Sequence, residues 1–313
     1  FSPPTLETVV LPARSGERGT LRAALDQLAE QDPLIDVRQD EIRREITVSL
    51  YGEVQKEVIQ ATLAEEFGLD VGFRETTTIN VERVVGAGAA VEFMHDAANP
   101  FLATVGLRIE PGPVDSGVQY RLGVELGSMP YAFMKAVEDT VRETLSQGLH
   151  GWQVIDCVVT MTHSGYAPRQ SHMHATFDKT MSSTGADFRG LTPLVLMSAL
   201  RRAGTRVHEP FHRYQLEIPT EAFAAVLPIL VRLRAAPLMS TVRGRTHVLS
   251  GHIPAAEVHG LDRRLPSLTS GEGVLESGFD HYRPVDGPAP ERPRWDHNPL
   301  NRKEYLLHVL RRV

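Results

Sequence analysis

The sequence predicts an α+β protein of several domains, and three observations carry the prediction. The order strand, helix, strand, strand, helix, strand can be read in residues 6–73 and again in residues 214–279. The stretch between them is rich in strands and holds helices of its own. The chain has 313 residues, and at about 100 to 200 residues per domain that provides two or three domains, each able to bury its own core.

LETVVL (6–11) is a short β-rich run. From Thr20, the residues Leu21, Ala24, Leu25 and Leu28 fall at helical spacing, and Asp32-Pro33 stops the helix. Ile35-Asp36-Val37 and EITVSLYG (45–52) read as a hairpin around a charged turn. Val54, Val58, Ile59, Ala61, Thr62, Leu63 and Phe67 then line one side of a second helix, Gly68 is placed as its C-cap, and LDVGF closes as a strand. This βαββαβ order is the ferredoxin-like split motif.

In the middle, TINVERVV (78–85), AVEFM (90–94), ATVGLRIEP (103–111) and YRLGVEL (120–126) read as strands. Phe133, Val137, Val141 and Leu145 mark an amphipathic helix ending at Gly148, and 154–161 is a strong strand. The polar stretch 163–190 has no period and reads as a long loop, a kind of segment that is usually functional or disordered. A closing helix runs from about Thr192, with Pro193 in its first turn, to Gly204. The second ferredoxin-like unit consists of YQLEI (214–218), a helix N-capped by Thr220 and bent by Pro228, strands at 238–242 and 246–254 around Gly244, a helix from Ala255 to about Leu265, and a last strand at 274–279. After Tyr282 five prolines give a semi-extended tether. RKEYLLHVLRRV follows as a helix with Tyr305, Leu306, Val309 and Leu310 on one side, too short to be stable unless it docks. The division expected is thus 1–77, 78–205, 206–285 and 286–313.

A disulfide framework is impossible with one cysteine, Cys157, which fits a reducing, cytosolic compartment. No apolar run approaches the roughly 20 residues of a membrane span, and the first residues are not a signal peptide. A start without Met suggests a truncated chain. The net charge of −6 argues against a domain that is basic all over. It is unevenly spread, being −7 over 1–77, −2 over 78–205, +1 over 206–285 and +2 over 286–313, so the tail is the better candidate for RNA phosphates.

No GxxxxGK[ST] occurs, and the glycines at 86–90 and 271–273 read as turns, so no nucleotide site is expected in this chain. His163, His172 and His174 share one loop, and the HMH spacing is one that zinc can use, which makes a metal-dependent enzyme a rival reading. No Cys, Asp or Glu stands nearby until Asp178, and no metal ligand is assigned. Cys157 lies in an apolar strand and reads as a small buried hydrophobe. His95-Asp96 has no nucleophile beside it, so no catalytic residue is assigned. The polar loop offers Tyr166 as a flat π-face, Pro168 as a wedge, and Arg169, His172 and Lys179 as phosphate donors, the equipment for irregular RNA. The same composition suits an ordinary solvated loop whose tyrosine packs on its own domain.

GFRETTTI (72–79), HEPFHRYQLEIP (208–219) and SGEGVLESGFDHY (270–282), in this order, resemble the C-terminal half of translation elongation factor G. QDPLIDV (31–37), NPFLATVGLRIEPGPVDSGVQY (99–120), QGLHGWQVIDCVVTMTHSGY (147–166), ADFRGLTPLVL (186–196) and LSGHIPA (249–255) more closely resemble its paralogues, the tetracycline-resistance ribosomal protection proteins. The resemblance implies the third, fourth and fifth domains of that family, the fourth with a fold like ribosomal S5 domain 2. It implies a cytoplasmic, monomeric factor that binds the 70S ribosome through 16S and 23S rRNA and ribosomal proteins and releases tetracycline from the decoding region. The GTPase activity, with its GTP and Mg²⁺, would belong to an N-terminal domain outside this chain, which by itself would not be an enzyme. The other reading of the same architecture is a part of an elongation factor G that promotes tRNA translocation.

By that resemblance Tyr166, Ala167, Pro168 and Arg169 form the tip loop at the drug site. Asn99, Pro100 and Phe101, with Ser128, Met129, Pro130 and Tyr131, form two further tip loops. Arg302, Lys303, Arg311 and Arg312 would bring the terminal helix to rRNA. The sequence departs from the family pattern in having Gly165 before a single tyrosine and a longer path from Pro168 to Ala186, an insertion expected to be mobile away from the ribosome.

Overall fold

A computed structural model describes residues 3–32, 34–40, 42–168, 182–235 and 237–310. They fall into two bodies, one of residues 1–80 and 208–284 and one of 81–207 and 285–313. Among the described residues no helix is long and apolar enough to cross a membrane.

The chain opens with β1 (Leu6–Pro12), α1 (Arg18–Gln31), β2 (Asp36–Gln39), β3 (Ile46–Leu50), α2 (Val54–Phe67) and β4 (Val71–Phe73). The antiparallel sheet has the order β2-β3-β1-β4, and β5 (Thr77–Thr78) extends it beside β1. Leu21, Leu25 and Leu28 of α1 and Ile59 and Leu63 of α2 bury against Val10, Val48 and Leu50 of the sheet. Gly68 ends α2 at φ +63°, and its N–H bonds back to the Leu63 carbonyl. No atom crowds its Cα, so backbone conformation alone requires glycine there.

The second body holds β6 (Val81–Val84), β7 (Gly88–Glu92), β8 (Ala103–Pro111), β9 (Val118–Leu122), α3 (Tyr131–Thr144), β10 (Gln153–Ile155), β11 (Cys157–Tyr166) and α4 (Gly185–Ala203). Its main sheet has the order β7-β8-β11-β9, with β9 parallel to β11, and α4 lies against β7, β8 and α3. Two expectations are corrected here. The strand expected at 154–161 is two strands, because Asp156 takes φ +53° and its buried carboxylate accepts from Arg83 and from the Gly117 N–H. The chain thereby leaves its parallel pairing with β6 and enters the other sheet. The helix expected from Thr192 begins instead at Gly185, where the Asp187 carboxylate accepts from the backbone N–H and hydroxyl of Thr184, both at 2.8 Å. Pro193 is therefore a buried interior residue of α4, tolerated because packing on both sides outweighs the lost hydrogen bond.

β12 (Thr205–Pro219), α5 (Phe223–Arg232), β13 (Pro237–Arg243), β14 (Thr246–Pro254), α6 (Ala255–Thr269) and β15 (Val274–Pro284) make the second βαββαβ unit, with β15 on one side of β12 and β14 then β13 on the other. Its core joins Tyr214, Leu216 and Ile218 to Val226, Leu230, Leu261 and Leu265.

The proline-rich tail is a strap rather than a tether, because its polar groups find partners on the second body. Arg292 lies between the rings of Trp152 and Trp295, with its guanidinium carbon 4.6 and 4.8 Å from their centroids. The Trp152 indole N–H donates to the Pro290 carbonyl at 2.7 Å, and Arg294 donates to the carbonyls of Gln147 and Gly148. Under this strap the side chain of Glu82, wholly buried, accepts from the N–H groups of Leu149, His150 and Trp152 and from the Thr205 hydroxyl. The last helix, α7 (Arg302–Leu310), lays Tyr305, Leu306 and Leu310 on the core of the second body, which holds Leu107, Val137, Val159 and Leu196.

Candidate nucleic-acid interface at one end of the second body

One end of the β7-β8-β11-β9 sheet gathers the start of β8, the end of β11 and the N-termini of α3 and α4. Pairing of Tyr166 with Ala103 and of Gly165 with Thr104 puts the loop after β11 beside the loop before β8. A Cβ on Gly165 would lie 2.9 Å from the Thr104 side chain, a steric reason for the glycine before the tyrosine. Ser183 locks the corner, donating to the Leu102 carbonyl at 2.5 Å, accepting from the Ala167 N–H at 2.7 Å, and giving its own N–H to the Ala167 carbonyl. On the other side the Ser164 hydroxyl donates to Ser128 at 2.8 Å and ties in the loop before α3. The three loops singled out in the sequence thus come together.

The residues of those loops divide into surface and support. Pro100, Ser128, Pro130 and Pro168 are exposed, and Tyr131 is 75% exposed at the first position of α3. Tyr166 is half-buried, its ring 6.0 Å edge-on from Phe133, which stacks on Phe188 at 4.8 Å. Asn99, Phe101 and Met129 lie in the loops named for them, with their side chains buried. Asn99 donates to the carbonyls of Phe93 and Ala103 and accepts from the Phe101 N–H, so it staples its loop shut. Phe101 lies directly against Gly190 of α4, where no larger side chain would fit. These three shape the tip without presenting themselves to a partner.

Arg302, expected at rRNA, already has partners within this body. Its guanidinium bonds both carboxylate oxygens of Glu92, at 2.6 and 2.8 Å, and the Ala98 carbonyl at 2.6 Å, so it braces the loop before β8 rather than standing free for phosphate. Lys303 is exposed. Arg169, Arg311 and Arg312 lie outside the described residues, as do His172, His174, Lys179 and the expected mobility of their insertion. His163 is exposed and edge-on to Phe93 at 5.8 Å. Cys157 is wholly buried, and burial with the neighbouring Asp156 pushes its thiol up to about 12, which removes it as a nucleophile at neutral pH. Phe93, 46% exposed, and Leu126, 75% exposed, complete the apolar surface of this end. In the sequence they read as parts of strands, and their one signal is a large apolar residue beside polar turn residues.

Family models match the chain in succession: elongation factor G domain III over residues 1–75, elongation factor G domain IV over 70–204, and the elongation factor G C-terminus over 206–293. The chain belongs to the elongation factor G family. Its architecture is accordingly two ferredoxin-like domains with a ribosomal S5-like domain between them in sequence. Among curated members, the oxytetracycline resistance protein of Streptomyces rimosus is 46% identical over 319 residues, covering 100% of this chain and 46% of that protein. Tetracycline resistance protein TetM of Streptomyces lividans is 42% identical, covering 91% and 43%, and TetP of Clostridium perfringens is 35% identical, covering 99% and 46%. The chain therefore spans about half the length of these relatives. A crystal structure of a Thermus thermophilus protein aligns over 100% of this chain and 44% of its own with a TM-score of 0.63 at 20% identity, a likeness of fold. In the terms of this family the converging loops lie at one end of domain IV, braced by the terminal helix.

Proposed function

We propose that these residues are the ribosome-engaging domains of a tetracycline-resistance ribosomal protection protein, and that the loop end of domain IV acts at the tetracycline site of the small-subunit decoding region. The observation that carries this reading is the 46% identity to an oxytetracycline resistance protein, which extends along the full chain. It is supported by the tip itself, where Tyr131, Pro168 and the outer edge of Tyr166 offer apolar and aromatic surface among the described residues. Aromatic side chains stack on unpaired bases whatever their sequence, and each such contact is worth about 1–3 kcal/mol. The whole protein would be a cytoplasmic, monomeric GTPase of the 70S ribosome, with GTP and Mg²⁺ held outside these residues. The test is expression of the whole protein in a susceptible host. Raised tetracycline tolerance that falls when Tyr166 and Pro168 are both changed to Ala supports the reading; unchanged tolerance on expression refutes it.

A further inference from the structure

β12 runs between β14 and β15, so side chains of three strands meet over it. His252 of β14 pairs with Arg213 of β12. On the other side Phe211 pairs with His281 and His212 with Phe279, which leaves Asp280 as the extra residue of a bulge. Consecutive side chains of an unbroken strand point to opposite faces. The bulge breaks that alternation and brings Asp280 and His281 together. Asp280 Oδ2 lies 2.6 Å from His281 Nδ1 and 3.2 Å from His252 Nε2, and the three ligand-type atoms all lie within 4.8 Å of one another. Zinc–ligand bonds of about 2.0–2.1 Å in a tetrahedron put neighbouring ligand atoms roughly 3.3 Å apart. Arg213 Nε and Nη2 both donate to Asp280 Oδ1, at 3.1 and 2.8 Å, which orients the carboxylate and leaves Oδ2 toward the histidines.

We propose that His252 Nε2, Asp280 Oδ2 and His281 Nδ1 form a binding site for a divalent first-row transition ion such as Zn²⁺. Two imidazoles and a carboxylate are a donor set such ions take readily, with water completing the coordination. A bound ion would tie β14 to β15 across β12.

Arg283 sets the condition for binding. Its Nε donates to His281 Nε2 at 2.8 Å, and its Nη2 lies 3.1 Å from His252 Nδ1. A guanidinium only donates, so both rings accept on their outward nitrogens and carry their protons inward, toward Oδ2. An ion needs the opposite tautomers, with lone pairs inward and N–H groups outward. Arg283 must therefore swing away from the pose that also holds its guanidinium carbon 4.5 Å from the Phe211 ring, which its exposed side chain has room to do. Gln in its place could accept from an outward N–H and should tighten binding.

The test uses the whole 313-residue chain, freed of metal by chelation and carrying H172N and H174N so that the HMH segment does not contribute. Zn²⁺ is titrated in competition with a chromophoric chelator, Co²⁺ absorption reports nitrogen ligation, and circular dichroism of each metal-free variant verifies folding. One equivalent of Zn²⁺ is expected, with a rise in Tm, a loss of affinity of about tenfold or more in H252N and in H281N, and a gain in R283Q. Zinc binding unaltered in the folded H252N and H281N variants, or well under one equivalent, overturns the proposal. So does an R283Q variant that binds no more tightly.

Discussion

The phenol of Tyr305 in the terminal helix donates to the carbonyl of Gly190 in the second turn of α4 at 3.0 Å, and the absent side chain of Gly190 is what lets the Phe101 ring lie against the same residue. Helix, glycine and loop are thereby one packed unit, and burial pushes the phenol well above its ordinary pKa. Tyr305→Phe should cost about 1 kcal/mol, the worth of one hydrogen bond. Tyr305→Ala should cost about 3–5 kcal/mol, as for a buried aromatic. Both tryptophans, Trp152 and Trp295, sit in this body, so urea unfolding followed by their fluorescence measures it directly.

Glu82 gives a second prediction. Its carboxylate is the acceptor for three turn amides beneath the C-terminal strap. Glu82→Ala would leave those N–H groups buried without an acceptor and should destabilise the body by about 3–5 kcal/mol. Glu82→Gln, which keeps one oxygen in place, should cost clearly less. A loss well under 1 kcal/mol in Glu82→Ala would show that the amides do not depend on that acceptor.

The pH dependence follows from Cys157. Its folded thiol is raised from an ordinary 9.0 to about 12 by burial, with Asp156 adding to the effect, so the fold favours the neutral form. The stability this contributes is complete below the unfolded value near pH 9 and is lost as pH rises toward about 12. Tyr214, raised from 10.0 to about 12 by burial, acts in the same direction in the other body. The melting temperature should hold steady near neutrality and fall above about pH 9, with a smaller fall in Cys157→Ala. In the native state at neutral pH, Cys157 should resist a thiol-specific disulfide reagent and react only in denaturant.

At the tip, Tyr131→Ala and Pro168→Ala should leave stability within about 0.5 kcal/mol of the parent, as exposed residues do. In the whole protein each should lower tetracycline tolerance. Asn99→Ala should lower tolerance and stability together, because Asn99 holds three hydrogen bonds inside its loop. A tip variant that melts early yet still protects would separate support from contact in the opposite sense.

Arg302→Ala tests the brace between α7 and the loop before β8. Loss of the paired Glu92 contact should cost about 1–2 kcal/mol at this half-exposed site. If Arg302 is a brace, Lys303→Ala should weaken ribosome binding in a salt-dependent way without changing stability, whereas Arg302→Ala should change stability first.

What the sequence determined by itself was whatever local periodicity encodes. Leu21, Ala24, Leu25 and Leu28 announce α1, Gly68 announces the end of α2, and the two βαββαβ units follow from such signals because each element buries one face. The loops of the tip could be named for the same reason, as breaks between periodic segments. Tertiary structure alone decided which loop residues face outward: Phe101 and Met129 share their loops with the exposed Pro100 and Tyr131, yet both are buried in the fold. It also decided that Arg302 meets Glu92 and that a bulge at Asp280 sets it beside His281 and His252. Contacts of this kind join residues far apart in the chain, and they exist only once sheet register and helix packing have fixed which side chains share a face.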